Sequence, residues 1–351
     1  MEAYMEKGLP LGKITPDLFK EIIYPALGCK SNDVLVGPRN GVDIAITKIG
    51  GKVIATTTDP VFVVKEYGFE KAGWFAIHIL VSDAVTSGLL PKFLSIDLNL
   101  PLEINKEELK LLWNTIHREC ASMGIAVISG HTARYTGCNY PMVGGATVIA
   151  VGEENEYITP CDAKPGDDIV VTKGAAIEAA GLFAATFPEK VRSAIGEELF
   201  KEADKLFFEM SVVKDALLAR EIGLREEGVT SMHDATEGGV LGGLYEVAKA
   251  SGVGMKINID DIILRPEVKA ICEKFGMDPY ISISEGSLII TVRPRKTEAL
   301  VKHLRSNGID VSVCGKITSG SEIAVEGPGG TMMLEHPSTD PFWGAFAAAF
   351  E

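Results

Sequence analysis

The sequence predicts an α/β (α+β) protein of two domains, and three observations lead to that expectation. Strand-like and helix-like runs are interleaved along most of the chain. Its 351 residues exceed the usual length of one domain, so two units of roughly 150 to 200 residues are expected. The stretch from Thr159 through Pro160, Asp162, Pro165 and Gly166 to Asp168 is rich in proline, glycine and acid, which suits an exposed connection. The domains are therefore expected at 1–158 and 159–351.

In the first domain, residues 15–30 read as a helix, with Thr15 as N-cap, Pro16 at the first helical position and Leu18, Phe19, Ile22 and Ile23 on one face. Strands follow at 34–36, 43–49 and 52–57, the last two joined across Gly50-Gly51 as in a hairpin. An Ala-rich helix is expected at 70–87, then a strand at 93–98, a helix at 106–123, and strands at 125–129 and 142–151. The second domain opens with a strand at 169–172 and helical stretches at 174–187, 192–203 and 209–222. A glycine-rich turn leads into a helix at 235–251. Strands at 255–259, 287–292 and 311–317 then alternate with helices at 266–275 and 296–306. No repeat of short period is visible.

Composition narrows the function. With 46% hydrophobic and 23% charged residues and no long biased tract, the chain reads as globular. A formal charge of -14 argues against broad attraction to nucleic acid or to an anionic membrane. No apolar run reaches the ~18 residues a membrane helix needs. The first residues, with Glu2, Glu6 and Lys7 among short apolar pieces, show no signal-peptide pattern, so the cytoplasm is expected. Six scattered cysteines form neither a C-x-x-C pair nor a zinc-ligand spacing, which speaks against a disulfide scaffold.

Three aspartates stand at or beside strand ends among small residues: Asp43, Asp59 and Asp83. Brought to one sheet edge they would suit octahedral Mg²⁺ shared with a triphosphate, because that cation takes oxygen ligands. Singly, such residues also form turns and caps. His131, in Ser129-Gly-His-Thr132, could ligate a metal, bind phosphate or bond to a loop. Arg134 is a candidate phosphate contact, and His78 reads as a packed histidine on its helix. In the run from Met232 to Glu246, Thr236 could cap a helix, Glu237 lies in its first turn, and Gly238-Gly239 would leave backbone N–H groups open to an anion. Tight packing of a glycine-rich helix is the other explanation. Neither a Walker A motif nor a kinase glycine loop occurs.

Taken in order, these segments resemble the family of aminoimidazole ribonucleotide synthetase (PurM), selenophosphate synthetase and the hydrogenase maturation protein HypE, the HypE branch most of all. The matching segments are Val34-Leu-Val-Gly-Pro38 through Gly41-Val-Asp-Ile-Ala45, Thr57-Thr-Asp59, Val81-Ser-Asp-Ala-Val-Thr-Ser-Gly88 with Pro91, His233-Asp-Ala-Thr-Glu-Gly-Gly239 with Glu246, and Ser284-Glu-Gly286. The resemblance implies a PurM-like architecture: an N-terminal mixed sheet that joins a second copy in a β-barrel, a C-terminal α/β sandwich, and ATP and Mg²⁺ between the domains. Asp43, Asp59 and Asp83 would be the metal and phosphate carboxylates. Lys30, Thr58, His131, Arg134, Lys173, Asp234, Thr236, Gly238 and Gly239 would line the cofactor site. Asp83 and Glu285 would do acid/base work, since dehydration of an amide needs a group to take its protons. Members phosphorylate an amide or similar oxygen, or selenide; in HypE the oxygen belongs to a carbamoyl group on a cysteine, and loss of phosphate leaves a nitrile.

The pattern also departs from the family. Where HypE ends in a cysteine, this sequence ends Gly344-Ala-Phe-Ala-Ala-Ala-Phe-Glu351, so no chemistry on its own tail is expected. His131 replaces an acid of the family, and Leu27 stands where selenophosphate synthetase has its reactive residue, leaving Cys29 as a buried or bystander thiol. The expected function is thus a HypE-like, ATP-dependent phosphorylation of an oxygen on a small substrate or a partner-protein group. The alternatives are a catalytically reduced nucleotide-binding maturation or regulatory partner, and a thiamine-monophosphate kinase-like enzyme.

Overall fold

The computed structural model describes residues 16–39, 41–337 and 339–350; Thr15, Glu2, Glu6 and Lys7 lie outside them. The strands before residue 154 form one six-stranded sheet in the order β1-β2-β3-β6-β4-β5, and those after residue 167 form a seven-stranded sheet in the order β13-β12-β9-β11-β7-β10-β8. The first comprises β1 (Val34–Val36), β2 (Ala45–Ile49), β3 (Lys52–Phe62), β4 (Leu90–Leu100), β5 (Ala126–Arg134) and β6 (Met142–Glu153). The second comprises β7 (Asp168–Thr172), β8 (Val229–Asp234), β9 (Gly254–Asn258), β10 (Leu288–Val292), β11 (Val311–Thr318), β12 (Ile323–Gly327) and β13 (Gly330–Met333). Helices α1 (Phe69–Thr86) and α2 (Lys106–Ser122) belong to the first sheet. The second sheet carries α3 (Ile177–Thr186), α4 (Pro188–Ile195), α5 (Glu197–Lys205), α6 (Val213–Glu221), α7 (Gly239–Ser251), α8 (Pro266–Phe275), α9 (Pro294–Ser306) and α10 (Pro341–Ala348).

Local chemistry explains several boundaries. Gly50 and Gly51, at φ 56 and 82, turn β2 into β3, with Ile49 paired to Lys52. Helix α2 starts with a reciprocal cap: the Asn105 side chain accepts from the Glu107 and Glu108 amides at 2.9 and 3.0 Å, while Glu108 accepts from the Asn105 amide. The helix expected at 15–30 is reduced to a short turn at Pro16–Leu18, a wider π turn at Phe19–Ile23 and a 3₁₀ turn at Tyr24–Ala26, with Ile22 and Ile23 exposed. Pro25 has no N–H for the α ladder, and none of residues 19–26 is buried among the described residues.

Helix α1 joins the two halves. Its Ile77, Leu80, Val81 and Ala84 share one core with Leu94, Ile96 and Leu98 of β4 and with Phe207, Val213, Leu288 and Ile290 of the second half. On the same helix, Ser82 accepts the Val212 N–H at 3.0 Å, and His78 stacks on Trp74 and bonds Ser211 Oγ at 2.8 Å. His78 is therefore a packing residue. No disulfide forms among the described residues, and Cys29 is exposed rather than buried. No helix among them is long and apolar enough to cross a membrane.

Candidate functional site

Acidic groups from five separate segments meet where α1 faces the second sheet. Asp43 follows a turn at Gly41, where φ is +72 and a Cβ would lie 3.0 Å from Cβ of Glu246 on α7; only glycine allows that approach. Asp59 lies in β3 opposite Ala146 of β6. Two residues earlier on the same side of the strand, Thr57 donates from Oγ1 to Asp83 Oδ2 at 2.9 Å. Asp83, on α1, is buried, as are Asp234 at the end of β8 and Glu285 in the turn before β10.

His233 sits among these groups. Its Nε2 lies 2.8 Å from Glu246 Oε2, and its Nδ1 lies 3.9 Å from both Asp43 Oδ2 and Asp234 Oδ1. One ligand atom from each of Asp43, His233 and Asp234 falls within 4.8 Å of the others, a spacing that could hold a metal ion. Burial opposes charge on His233, yet the Glu246 hydrogen bond and the carboxylates of Glu246, Asp43 and Asp234 outweigh it and raise the imidazole to about 9.

The carboxyls respond in the opposite sense. Burial, then the charges of Asp234, Asp59 and Asp43, raise Asp83 well above the ordinary range. Burial also raises Asp234, partly offset by His233. Glu285 is raised by burial and by Asp234 and Glu178, with the Ser82 hydroxyl acting against them. Oδ2 of Asp234 and Oε2 of Glu285 are buried without a hydrogen-bond partner among the described residues. Such a cluster favours a divalent cation or hydrogen-bond donors of a ligand.

The structure thus brings Asp43, Asp59, Asp83, Asp234 and Glu285 into one neighbourhood, and it places other expected residues differently. Lys173 is spent in a buried ion pair with Asp215 at 2.9 Å and also donates to Ser211 O at 2.8 Å, so its ammonium is not open to phosphate. Thr58 is on the opposite face of β3 from Thr57 and Asp59, where it meets Thr147 Oγ1 at 2.9 Å. His131 is within β5, which runs past the expected 129, and its Nε2 bonds Tyr135 Oη at 2.8 Å. Its neighbour Gly130 pairs with Ile96, Ile96 with Ala146, and Ala146 with Asp59. Three strand spacings of ~4.8 Å therefore put His131 on the order of 14 Å from the Asp59 position. Arg134 donates to the Leu102 carbonyl, and Lys30 is exposed ahead of β1.

The glycine turn also differs from expectation. Thr236 does not cap α7: its carbonyl accepts the Gly239 N–H at 3.0 Å, and Gly238, at φ 80, is the N-cap. The Gly238 N–H, expected to be open to an anion, is bound at 2.9 Å by the Asp340 carboxylate. The roles of Thr57, His233 and Glu246 were not assigned from sequence. Thr57 could have been found from the two-residue period it shares with Asp59, while His233 and Glu246 lie in a motif whose other residues drew attention.

Two sheet-and-helix halves with acids gathered between them define an architecture shared with the AIR synthase related proteins. Residues 41–153 match the N-terminal domain of that family and residues 164–327 its C-terminal domain. The chain belongs to this family. It is 26% identical over 342 residues to a hydrogenase expression/formation protein of Methanocaldococcus jannaschii, covering 94% of this chain and 96% of the relative. It is 24% identical to the carbamoyl dehydratase HypE of Escherichia coli, over 86% of this chain and 87% of that one. A thiamine-monophosphate kinase of Aquifex aeolicus is 25% identical, over 82% and 89%. The fold is PurM-like: HypE in a HypE–HypF complex superposes with a TM-score of 0.72 at 22% identity, covering 91% of this chain and 99% of that one. A HypE in complex with ATP gives 0.64 at 18% identity, covering 95% and 98%.

Proposed function

We propose that this chain is a HypE-like enzyme that uses ATP and Mg²⁺ to phosphorylate an amide- or carbonyl-type oxygen on a small substrate or on a partner-protein group. The observation that carries this reading is the meeting of Asp43, Asp59, Asp83 and Asp234 at the junction of the two halves, with one Asp234 oxygen left without a partner. That donor set fits a hard divalent cation, because it offers carboxylate oxygens and its charges repel one another. Asp43, Asp59, Asp83 and Asp234 would hold the ion, while His233 pairs with Glu246 and steadies the two aspartates beside it. Bound there, Mg²⁺ would neutralise the triphosphate and polarise its terminal phosphoryl group.

The amide oxygen attacks the γ-phosphorus, the bond to the β-phosphate oxygen breaks, and ADP departs. One amide proton leaves as the C=N bond forms; the second leaves as phosphate departs and the nitrile forms. Glu285 suits the first transfer, since it is buried, raised above the usual carboxyl range and has one unengaged oxygen. Asp83 serves on the nucleotide side. We further propose that the chain acts as a homodimer, joined through the outward face of the first sheet, where Phe93 and Val127 are exposed in adjacent strands. The likeness to HypE and to its complexes with HypF and with ATP supports a nucleotide cofactor and a protein partner.

ADP release by the full chain with MgATP tests the reading, using an S-carbamoylcysteine peptide or thiamine monophosphate as acceptor. The proposal expects the peptide to stimulate release about tenfold or more. Stimulation by thiamine monophosphate alone would make the chain a kinase of that type. Tight MgATP binding with no stimulation by either would leave a nucleotide-binding maturation partner.

A further inference from the structure

Glu178 is a half-buried titratable group that the proposed reaction does not use, and its surroundings connect it to Glu285. It occupies the first turn of α3, directly after a loop with unusual backbone geometry. Lys173 and Ala176 adopt left-handed conformations at φ 60 and 52, although neither is glycine. Gly174 passes so close to Ile263 that a Cβ would lie 2.2 Å from its carbonyl oxygen. Strain of this kind persists where the surroundings enforce it, and it gathers at functional sites. The outcome of this path is the placement of α3 and its first side chains against the turn that carries Glu285.

That turn is tied to the same loop on both sides of Glu285. The Ala179 N–H bonds Ile283 O at 3.1 Å, Ser287 Oγ donates to Gly174 O, and the Leu288 N–H bonds Thr172 Oγ1 at 3.0 Å. These contacts fix residues 283, 287 and 288; within the turn the Ser287 N–H bonds Ser284 O at 2.9 Å, and the Gly286 N–H donates to Glu285 Oε1 at 3.2 Å, which leaves the Glu285 N–H to be satisfied from outside the turn. That N–H is bound by Glu178 Oε2 at 3.0 Å. The same peptide plane carries Ser284 O, so Glu178 on its N–H and the Ser287 N–H on its carbonyl together hold its orientation, and with it the direction of the Glu285 side chain. Gly286, at φ +100, packs so closely on the Glu209 carbonyl that a Cβ would lie 2.4 Å from it, which confines the turn from the other side.

We infer that Glu178 is a positioning residue: it accepts the Glu285 N–H and so helps set the direction in which the Glu285 carboxyl faces Asp234. The inference rests on Glu285 acting in the proposed reaction. Burial raises Glu178 to about 8, the Glu285 N–H opposes this, and the charges of Asp340, Glu237 and Asp234 add to it. Near neutral pH the group therefore keeps a proton on one oxygen and accepts with the other, as a glutamine would. A conservative amide should replace it, and a side chain without an acceptor should not.

Glu178→Gln and Glu178→Ala in the full chain test this with two readouts. The first is amide exchange at Glu285, which does not depend on turnover: Ala should speed it about tenfold or more, and Gln should leave it within about threefold. The second is ADP release with the S-carbamoylcysteine peptide: Ala should lower kcat about 100-fold at unchanged KM for ATP, and Gln should retain it. If Ala does not fold, Glu178→Asp replaces it, since one methylene less withdraws the acceptor. Unchanged exchange at Glu285 in Ala or Asp overturns the inference, as does a Gln variant that behaves like Ala. A wild-type chain that releases no ADP overturns the proposed function alone, and exchange then decides the role of Glu178.

Discussion

Two groups of buried acids in this protein differ in what faces them. Asp167 and Asp215 each meet a base: Arg293 Nη1 lies 2.9 Å from Asp167, and Lys173 Nζ lies 2.9 Å from Asp215. Asp83, Asp234 and Glu285 are as deeply buried but mainly face one another, and the histidine nearest them is engaged with Glu246. The first set is scaffold, because each charge is balanced where it stands. The second is held together against its own repulsion by the packing of α1 on the second sheet. A fold that retains such a cluster gives up stability that the proposed cation would restore.

The sharpest way to break this comparison is Asp83→Asn. ADP release should fall about 10²- to 10⁴-fold, while the thermal midpoint of the metal-free protein stays level or rises because one repelling charge is gone. A normal rate with a lowered midpoint would move Asp83 into the scaffold set. Asp215→Ala should do the reverse. It leaves the Lys173 ammonium buried without its carboxylate, and urea unfolding should show a loss of about 3 to 5 kcal/mol. A loss below ~1 kcal/mol would mean that the pair is not structural.

Two adjacent threonines refine the boundary of the site. Thr57→Val removes the hydroxyl that Asp83 accepts, and should weaken MgATP binding by about 1.5 to 3 kcal/mol. Thr58→Val, one residue on and on the other face, should change it by no more than about 0.5 kcal/mol. Equal effects in a calorimetric titration would contradict the side assignment.

The most gradual effect is in pH. Glu178 is raised to about 8, so the metal-free folded chain holds a proton that the unfolded chain has lost above its ordinary value. Stability from this group is complete below about pH 4.5 and is lost as pH rises through about 8. His233, raised to about 9, acts in the same direction between about 6.5 and 9. The melting temperature of the metal-free protein should therefore decline from about pH 5 to 9, and Mg²⁺ should flatten the decline. A decline that Mg²⁺ leaves unchanged would assign the trend to net charge rather than to the junction.

Elements with a strong local signature were legible before folding. The Gly50-Gly51 hairpin and the helix from Pro266 to Phe275 appear where periodicity and turn residues put them. β8 was not, because all six of its residues are buried and it shows no alternation. Helix α10 is apolar around most of its circumference, so its face could not be read from spacing. Asp43, Asp59 and Asp83 were legible one by one from their small-residue surroundings, although Asp59 lies inside β3 and Asp83 inside α1 rather than at strand ends.

From the sequence by itself came the α/β class and the candidacy of Asp43, Asp59 and Asp83, because those depend on residue type and short-range spacing, while Asp234 and Glu285 were reached through the family resemblance. Partnership depends on contacts far apart in the chain, and the tertiary structure alone decided it. Lys173 meets Asp215 across 42 residues, Gly238 meets Asp340 across 102, and His131 lies strands away from Asp59. Among the described residues, Asp83, Asp234 and Glu285 are buried with no lysine or arginine paired to them, and packing across the two halves brings that about.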